Sequence, residues 1–321
     1  MRLRYALPCV IVTLALYFLM GSKTSLQPEG QDLHRTQIIL TNISEDSPIK
    51  QDNRQNLDEE IMRGSLAQNE PRVISYIKNN GYLNPPSPRN MSYHLDQPTR
   101  DPSTGQSHIV KRLFNGKRNG FFVECGALDG ETRSNTLSLE RDYGWQGLLI
   151  EGDPKNYQVL LTKKRKAWTS RCCLSIHPYP HEVMFKQDFN KGKIQQDNVT
   201  GGSSDPGSSV RAQCFPLFSL LRTLGVWTVD YLSLDVEGFE MDVLKTIPFH
   251  LVHIRVLSVE FTHGAGGPEE LIAYMRKKNY RVVTKLIHEG NLANDVIFAH
   301  KSFHVRGRYP EVMKSELMWH T

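Results

Sequence analysis

The chain has 321 residues, of which 39% are hydrophobic, and a formal net charge of +5. This length provides for one large domain of roughly 200 to 250 residues together with smaller segments. The basic residues are scattered, and no basic stripe alternates with aromatic residues. The composition therefore argues against a nucleic-acid-binding protein. The densest basic cluster, residues 163–166, is typical of a solvated helix end rather than of a phosphate-binding patch.

The first predicted element is a transmembrane signal anchor at residues 5–21, preceded by Arg2 and Arg4. Its 16 uncharged residues, 5–20, would span roughly 24 Å as a helix, which is short for a ~30 Å bilayer core but tolerable in thinner membranes. The positive-inside rule then leaves residues 1–4 in the cytoplasm and places the rest of the chain in the lumen or outside the cell. The alternative is a cleaved signal peptide, for which Leu19-Met20-Gly21 is a poor cleavage site.

Two segments separate this anchor from the main domain. Residues 22–57 are polar with few aromatic residues, which predicts a flexible stem. Residues 58–119 combine helical patterns with a loop rich in Pro, Ser and Asn, which predicts a helical N-terminal extension. Three N-x-S/T sequons agree with a lumenal location and predict glycosylation at Asn42, Asn90 and Asn198.

Residues 120–321 form the predicted main domain, in which strand-like and helical runs alternate. The predicted strands include residues 167–176 and 181–187, and the predicted helices include residues 132–143 and 214–225. This alternation predicts an α/β fold, with a mostly parallel, Rossmann-like sheet covered by helices on both faces. The runs YRVVTKLI and NDVIFAHK follow one another across a short loop, which predicts an antiparallel hairpin at one edge of the sheet. The Gly- and Ser-rich segment within residues 187–214 predicts a mobile loop, either a lid over a site or an insertion.

Four of the five cysteines fall in the main domain. They show neither a CxxC spacing nor a cluster with histidines, so we expect no metal site. Cys172 and Cys173 would point to opposite faces of a strand, and only one of them could then readily pair with Cys214. We predict a Cys173–Cys214 disulfide. The alternative is that all four cysteines are ordinary small buried side chains.

Ligands of parallel sheets bind at the carboxyl ends of the strands. The first strand ends at Glu124, and a turn with Gly126, Asp129 and Gly130 follows. Two glycines in this turn permit a close approach of the backbone to a ligand. The turn matches neither the dinucleotide-binding fingerprint nor a P-loop.

Acidic residues also end the second, fourth and fifth strands. Glu151 is placed to accept both hydroxyls of a ribose, and Asp235 and Glu260 end the two later strands. Such an edge suits a neutral or cationic nucleoside and would repel a polyphosphate. S-adenosylmethionine, with a sulfonium and an amino group, fits this requirement. The alternative is that each carboxylate caps the N-terminus of a helix.

Three segments, FFVECGALDGETRSNTLSLE, GWQGLLIEGDP and VDYLSLDVEGFEMDVLK, resemble the FkbM-type methyltransferase family, and most closely its Star-like subgroup of type II membrane proteins. The resemblance runs from about residue 120 to residue 298. It implies a class I S-adenosylmethionine-dependent methyltransferase fold behind an N-terminal transmembrane helix. Leu128 departs from the generic class I pattern, which usually has glycine at this position.

The resemblance also implies roles for the residues at the strand ends. Glu124, Gly126 and Gly130 would line the methionine part of S-adenosylmethionine, together with Asp129 in the same turn. Glu151 would bind the ribose, and Asp235 and Glu237 would lie beside the methyl acceptor. An O-methyltransferase also gains from a base near the acceptor hydroxyl. The predicted catalytic residues are Asp235, Glu237, Glu260 and His263.

Two functions compete at this point. The Star-like resemblance implies a single-pass membrane protein that helps growth-factor precursors, such as those of EGF receptor ligands, through the endoplasmic reticulum, Golgi and endosomes. Its partner would be a transmembrane cargo protein, and its domain would lie in the lumen or reach the plasma membrane. The unbroken set of acidic strand ends favours instead an active O-methyltransferase acting on a glycan, a lipid or another acceptor of the secretory pathway.

Overall fold

The computed structural model describes residues 59–61, 64, 66–189, 192–195, 209–264, 266–288 and 294–314. The predicted cytoplasmic tail, signal anchor and stem lie outside these residues, as do Asn42 and Asn198. Within the described ranges, no helix is both long enough and apolar enough to cross a bilayer.

The described part of the chain contains thirteen strands and seven helices, joined by turns and loops. The strands are β1 (Leu83–Asn84), β2 (Phe121–Cys125), β3 (Gln146–Ile150), β4 (Trp168–Ser170), β5 (Cys173–Leu174), β6 (His181–Lys186), β7 (Lys193–Gln195), β8 (Ser209–Phe215), β9 (Thr228–Leu234), β10 (His253–Glu260), β11 (Tyr280–Ile287), β12 (Asp295–His300) and β13 (Val312–Lys314). The helices are α1 (Pro71–Asn79), α2 (Gln106–Leu113), α3 (Leu137–Tyr143), α4 (Pro154–Thr162), α5 (Leu217–Thr223), α6 (Glu240–Thr246) and α7 (Gly267–Lys277).

The main sheet has nine strands in the order β1-β4-β3-β2-β9-β10-β12-β11-β13. Five neighbouring strands, from β4 to β10, are parallel, which confirms the predicted mostly parallel sheet. β11 and β12 pair antiparallel as predicted, but β12 lies between β10 and β11, and β13 forms the edge instead of the hairpin. The burial explains this position, because five of the six β12 residues are buried, as expected of an interior strand.

A second sheet of four strands, β5-β8-β6-β7, lies apart from the main one. The sequence predicted a single strand over residues 167–176, and this prediction was wrong. The strand breaks at Arg171 and Cys172, so that β4 joins the main sheet and β5 the small one. The exposed Arg171 side chain donates hydrogen bonds to the carbonyls of Asn80 and Gly81, which fixes the chain at the break.

The small sheet also contains the predicted cysteine pair. Cys173 on β5 and Cys214 on β8 stand opposite each other in the strand register and form a disulfide, the pairing that the sequence favoured. Cys125 and Cys172 are free and buried. The helix expected to begin at Cys214 begins instead at Leu217, after Pro216.

The core lies on both faces of the main sheet, because side chains alternate along each strand. Val123 and Leu148 face one hydrophobic cluster, which includes residues of α1, α5, α6 and α7. Their neighbours Phe122 and Leu149 face a second cluster, which includes residues of α2, α3 and α4. Helices therefore cover both faces, as predicted, and leave the carboxyl ends of the parallel strands as an open edge.

A buried arginine ties the turn after β2 to helix α3. Arg165 contacts the Glu140 carboxylate at 3.0 Å, and both side chains are almost fully buried. The guanidinium also donates hydrogen bonds to the Thr136 hydroxyl, at 3.2 Å, and to the Gly130 carbonyl. Because a buried charge is stable only with partners, these contacts hold residues 130–140 in one arrangement.

We expect Arg165→Met to lower the free energy of unfolding by about 3–5 kcal/mol, because the substitution leaves the Glu140 carboxylate buried without its cation. Urea denaturation followed by circular dichroism measures this loss. Arg72→Met is the matched control, because Arg72 pairs with Glu60 and Glu70 at the surface and such pairs contribute little. Equal unfolding midpoints for the two variants would contradict the assigned role of Arg165.

Candidate functional site

A cavity of about 300 Å³ opens at the carboxyl edge of the main sheet. Its walls come from the turns that follow β2, β3, β9 and β10, and from side chains of the small sheet, including Phe185 and Ile194. This volume lies at the lower end of the range for small-molecule sites. The cavity lies where the sequence predicted a ligand site.

The turn after β2 depends on a glycine. Gly126 has a φ of +77°, and a Cβ atom at this position would lie 2.2 Å from the carbonyl oxygen of Asp235. The ends of β2 and β9 can therefore meet only without a side chain at this point. Leu128 also has a positive φ, of +52°. The turn thus keeps a glycine-like conformation at the position where the sequence departs from the class I pattern.

Glu151 is a buried carboxylate at the end of β3 that lines the cavity. Its Oε2 accepts a hydrogen bond from the backbone N–H of Leu128 at 2.7 Å, and its Oε1 accepts one from Asp153 at 2.8 Å. Burial raises the pKa of Glu151 to about 8. Since each carboxylate oxygen has two lone pairs, both oxygens can accept a further hydrogen bond from a ligand.

Glu124 also lines the cavity, but its carboxylate is already engaged. It accepts hydrogen bonds from the hydroxyls of Ser134 and Thr136 and from the backbone N–H of Asn135. Burial raises the pKa of Glu124. The residue therefore fixes the loop of residues 132–136 and also lines the cavity, as the resemblance implied.

Asp129 and Gly130 were expected to bind the cofactor, but neither lines the cavity. The Asp129 carboxylate accepts hydrogen bonds from the backbone N–H groups of Glu131 and Thr132 and from the Thr132 hydroxyl. Gly130 packs against Leu160 of α4. These two residues therefore stabilise the turn that follows Leu128, through hydrogen bonds within the turn and packing against α4.

Asp235 and Glu260 line the opposite end of the cavity and lie close to Glu240, which is not part of the lining. Oxygens of Asp235, Glu240 and Glu260 lie within 4.8 Å of one another, close enough to share one divalent cation. Burial raises the pKa of Glu240 to about 7, and its Oε1 accepts hydrogen bonds from the backbone N–H groups of Val236 and Gly238. Glu240 thereby holds the turn after β9 and was missed by the sequence analysis.

Asp235 lies at the centre of this acidic group. Its side chain is exposed toward the cavity that it lines, yet it is surrounded by protein on its other sides. This desolvation, followed by repulsion from Glu237 and Glu240, raises the pKa of Asp235 well above its ordinary value. A positive charge bound nearby would relieve the repulsion.

His263 follows β10 and meets two of the predicted catalytic carboxylates. Its Nδ1 lies 3.3 Å from an oxygen of Glu237 and 3.5 Å from an oxygen of Glu260. The His263 side chain is 44% exposed, whereas the Glu260 side chain is only 6% exposed. The structure thus brings all four predicted catalytic residues into one half of the cavity.

Several lining residues were not identified from the sequence. The sequence predicted a helix from Thr132 onward, but α3 begins at Leu137, and Thr132, Arg133 and Asn135 form a loop along the cavity. A weak signal was present, because Ser134 and Asn135 are poor helix-interior residues. Phe185 was placed on a strand, but nothing in its pattern indicated a separate sheet beside the site.

The close approach at Gly126 gives a stability prediction with a matched control. Gly81 has a similar positive φ, of +66°, but an added Cβ would meet nothing within 4 Å. Gly81→Ala should cost about 1–2 kcal/mol from backbone strain alone. Gly126→Ala should cost about 1–3 kcal/mol more, because the strand ends must move apart. Thermal and urea unfolding compare the two, and equal losses would contradict the contact between Gly126 and Asp235.

One protein family matches the sequence. Residues 124–282 match the family model described as methyltransferase FkbM domain. Together with the strand order, this match confirms the predicted class I S-adenosylmethionine methyltransferase-like α/β fold. No curated protein matches the sequence significantly.

Solved structures of similar fold include an FkbM methyltransferase from Methylobacillus flagellatus KT, with 14% identity, a TM-score of 0.37 and coverage of 60% of this chain and 48% of that chain. M. capricolum TrmK, solved with S-adenosyl-homocysteine, has 10% identity, a TM-score of 0.36 and coverage of 62% and 68%. Aeropyrum pernix fibrillarin, solved with S-adenosyl-L-methionine, has 12% identity, a TM-score of 0.36 and coverage of 61% and 73%. The match thus spans about half of the M. flagellatus chain.

Proposed function

Because residues 124–282 form a methyltransferase FkbM domain, we propose that this protein binds S-adenosylmethionine in the cavity and methylates a hydroxyl group of an acceptor. The observation that carries the proposal is the placement of Glu151. It is a buried carboxylate at the end of β3, it is oriented by two backbone N–H groups, and it retains acceptor capacity on the cavity side. An acidic residue in this position suits the two ribose hydroxyls of a nucleoside.

The cavity beside Glu151 suits an adenine ring. Cys172, Leu174 and Phe185 form an apolar wall there, and the disulfide anchors the small sheet that carries part of it. Burial raises the pKa of Cys172 to about 12. Burial also raises the pKa of Cys125 well above its ordinary value. Both thiols are therefore neutral near pH 7, and the wall carries no charge that would repel an aromatic base.

The acidic half of the cavity suits a cation. Asp235, Glu237 and Glu260 would attract the sulfonium and ammonium groups of the cofactor, whose bound form supplies an electrophilic methyl group. With the strand order β3-β2-β9-β10, we propose that the ribose lies over β3, the amino-acid part over β2 and β9, and the acceptor near β10. Methyl transfer by such a site depends mainly on the orientation of the two reactants.

His263 is the best-placed base for an acceptor hydroxyl. Glu237 and Glu260 hold its Nδ1, which leaves Nε2 to take the proton of the acceptor. This arrangement resembles the general pattern in which a carboxylate orients a histidine base. Asp235 lies in the same half of the cavity and is the second group that could receive the proton.

We expect wild-type protein to bind S-adenosylmethionine and Glu151→Gln to bind it at least about tenfold more weakly, because the amide loses a charge-assisted hydrogen bond to the ribose. Isothermal titration calorimetry on the full-length chain measures both affinities. Glu182→Gln is the control, because Glu182 lies on β6 outside the cavity and forms a salt bridge with the exposed Arg211. A folded wild-type protein that binds no S-adenosylmethionine would refute the proposal.

The same titration should depend on pH in a defined direction. The unliganded Glu151, with a pKa of about 8, is protonated below that pH, and the ribose hydroxyls donate to its charged form. The dissociation constant of 5′-methylthioadenosine, which has ribose and adenine but no amino group to titrate, should therefore fall as the pH rises toward 8 and then level off. Glu151→Gln should remove this pH step.

We also propose that the domain works in the lumen of the secretory pathway behind an N-terminal signal anchor. The disulfide supports an oxidising compartment. Asn90, the one sequon asparagine among the described residues, is exposed in a turn and accessible to glycosylation. A lumenal location is also what the second candidate function needs, in which a Star-like protein binds transmembrane growth-factor precursors during their transport through the endoplasmic reticulum, Golgi and endosomes.

We expect protein expressed in animal cells to carry an N-glycan at Asn90. Asn90→Gln should then run faster on a gel than the wild type, by the mass of one glycan. Treatment with peptide-N-glycosidase should remove this difference in mobility. Asn80→Gln is the control, because Asn80 is exposed but lies outside a sequon. Identical mobility of Asn90→Gln and wild-type protein before digestion would contradict a lumenal location of this turn.

A further inference from the structure

Arg133 is a cation in an acidic cavity. Among the lining residues that the structure describes, it is the only arginine or lysine. The carboxylates that line the same cavity are those of Glu124, Glu151, Asp235, Glu237 and Glu260. S-adenosylmethionine carries a carboxylate of its own, which these groups would repel unless a cation of the protein compensates it.

The backbone at Arg133 is held between two anchored neighbours. The Thr132 backbone N–H and hydroxyl donate hydrogen bonds to Asp129, and the Ser134 backbone N–H donates one to the carbonyl of Glu131. Arg133 itself has a φ of +57°, a conformation that non-glycine residues rarely adopt. The chain accepts this strain at the residue that presents a cation to the cavity.

The Arg133 side chain is exposed, and it forms no hydrogen bond or ion pair with any residue that the structure describes. Arg165 and Lys163 differ from it in this respect, because each forms a buried ion pair with a glutamate of the protein. Its guanidinium is therefore available to a ligand carboxylate, which it can bind through two parallel hydrogen bonds.

The position of the loop of residues 132–136 determines which part of a bound ligand Arg133 can contact. Asn135 donates a hydrogen bond from its side chain to the Ser233 hydroxyl on β9, at 2.9 Å. The loop therefore lies over β2 and β9, between Glu151 on one side and His263 on the other. In the proposed function this middle section holds the amino-acid part of the cofactor.

We propose that Arg133 binds the α-carboxylate of S-adenosylmethionine and so selects an intact amino-acid group in the cofactor. The inference rests on the proposed function, because it assigns a residue to the same ligand. It makes Arg133 a specificity-determining residue of the cofactor site that lies outside the turn of residues 124–130.

The test compares S-adenosylmethionine with its decarboxylated form, which keeps the ribose, the sulfonium and the amine. Both ligands are titrated into full-length wild-type protein, Arg133→Ala, Arg133→Lys and Arg118→Ala. Arg118 is a matched control because it is exposed and lies outside the cavity. Alanine, like arginine, carries a Cβ atom, so Arg133→Ala removes the charge but leaves the steric strain of the positive φ unchanged.

We expect Arg133→Ala to weaken binding of S-adenosylmethionine about tenfold or more and to leave binding of the decarboxylated ligand within about twofold. Arg133→Lys should lose less than the alanine variant, and Arg118→Ala should match the wild type. Equal weakening of both ligands, or no change with either, would overturn the assignment. In the second case Arg133 would be free for an acidic acceptor.

The two proposals fail in different ways. If wild-type protein binds neither ligand, the cofactor site itself is refuted, and the role of Arg133 falls with it. If wild-type protein binds both ligands with dependence on Glu151, and Arg133→Ala changes neither affinity, only the role of Arg133 is refuted.

Discussion

The guanidinium of Arg165, buried against Glu140, is the interaction on which the architecture of the site depends. It fixes the Gly130 carbonyl and the Thr136 hydroxyl, which bracket the loop along the cavity. Glu124 holds the same loop from the strand side through three further hydrogen bonds. The opposite charges of Arg165 and Glu124 compensate each other in the interior, where either one alone would be costly. The loop along the cavity is thus held by Arg165 from the interior and by Glu124 from the cavity wall.

A second constraint is the contact of β2 with β9 at Gly126. Because the strand ends meet there, the turns that follow them are close, and carboxylates from separate parts of the chain share one cavity. Such a group is unfavourable for folding, since repulsion and desolvation raise the pKa of Asp235 and Glu240. Hydrogen bonds from backbone N–H groups to Glu240 and Glu260 offset part of this cost. A cationic ligand would offset the remaining free-energy cost when it binds.

The parallel part of the main sheet and the acidic residues at the strand ends could be predicted from the sequence. Both follow from local patterns: apolar runs of strand length, and single carboxylates directly after them, as at Glu151 and Asp235. Parallel strands bring such ends to one edge, so their proximity in space could be inferred without a structure. Alternation also implied that only one of Cys172 and Cys173 would pair with Cys214, and Cys173 is the residue that does so.

Features that depend on long-range packing could not be predicted in this way. The break at Arg171 is set by carbonyls of the segment after α1, far away in the sequence. The insertion of β12 between β10 and β11 depends on which strand is buried on both faces. The loop position of Arg133 results from hydrogen bonds that outweigh the helical pattern around it. In each case a tertiary contact overrides a local preference.

The charge of the cavity bears on the direction of the proposed reaction. S-adenosylmethionine carries a sulfonium, and the product S-adenosylhomocysteine carries a neutral thioether. In the proposed reaction the positive charge would pass from the sulfur to the proton that His263 takes, and the acidic half would lose this charge when the proton leaves. With that charge lost, the carboxylates of Asp235, Glu237 and Glu260 would again repel one another, and burial together with this repulsion raises the pKa of Asp235. In the proposed reaction the protein would therefore stabilise the charged substrate more than the neutral product. The repulsion that makes the empty cavity unfavourable would thus favour cofactor binding before transfer and product release after it.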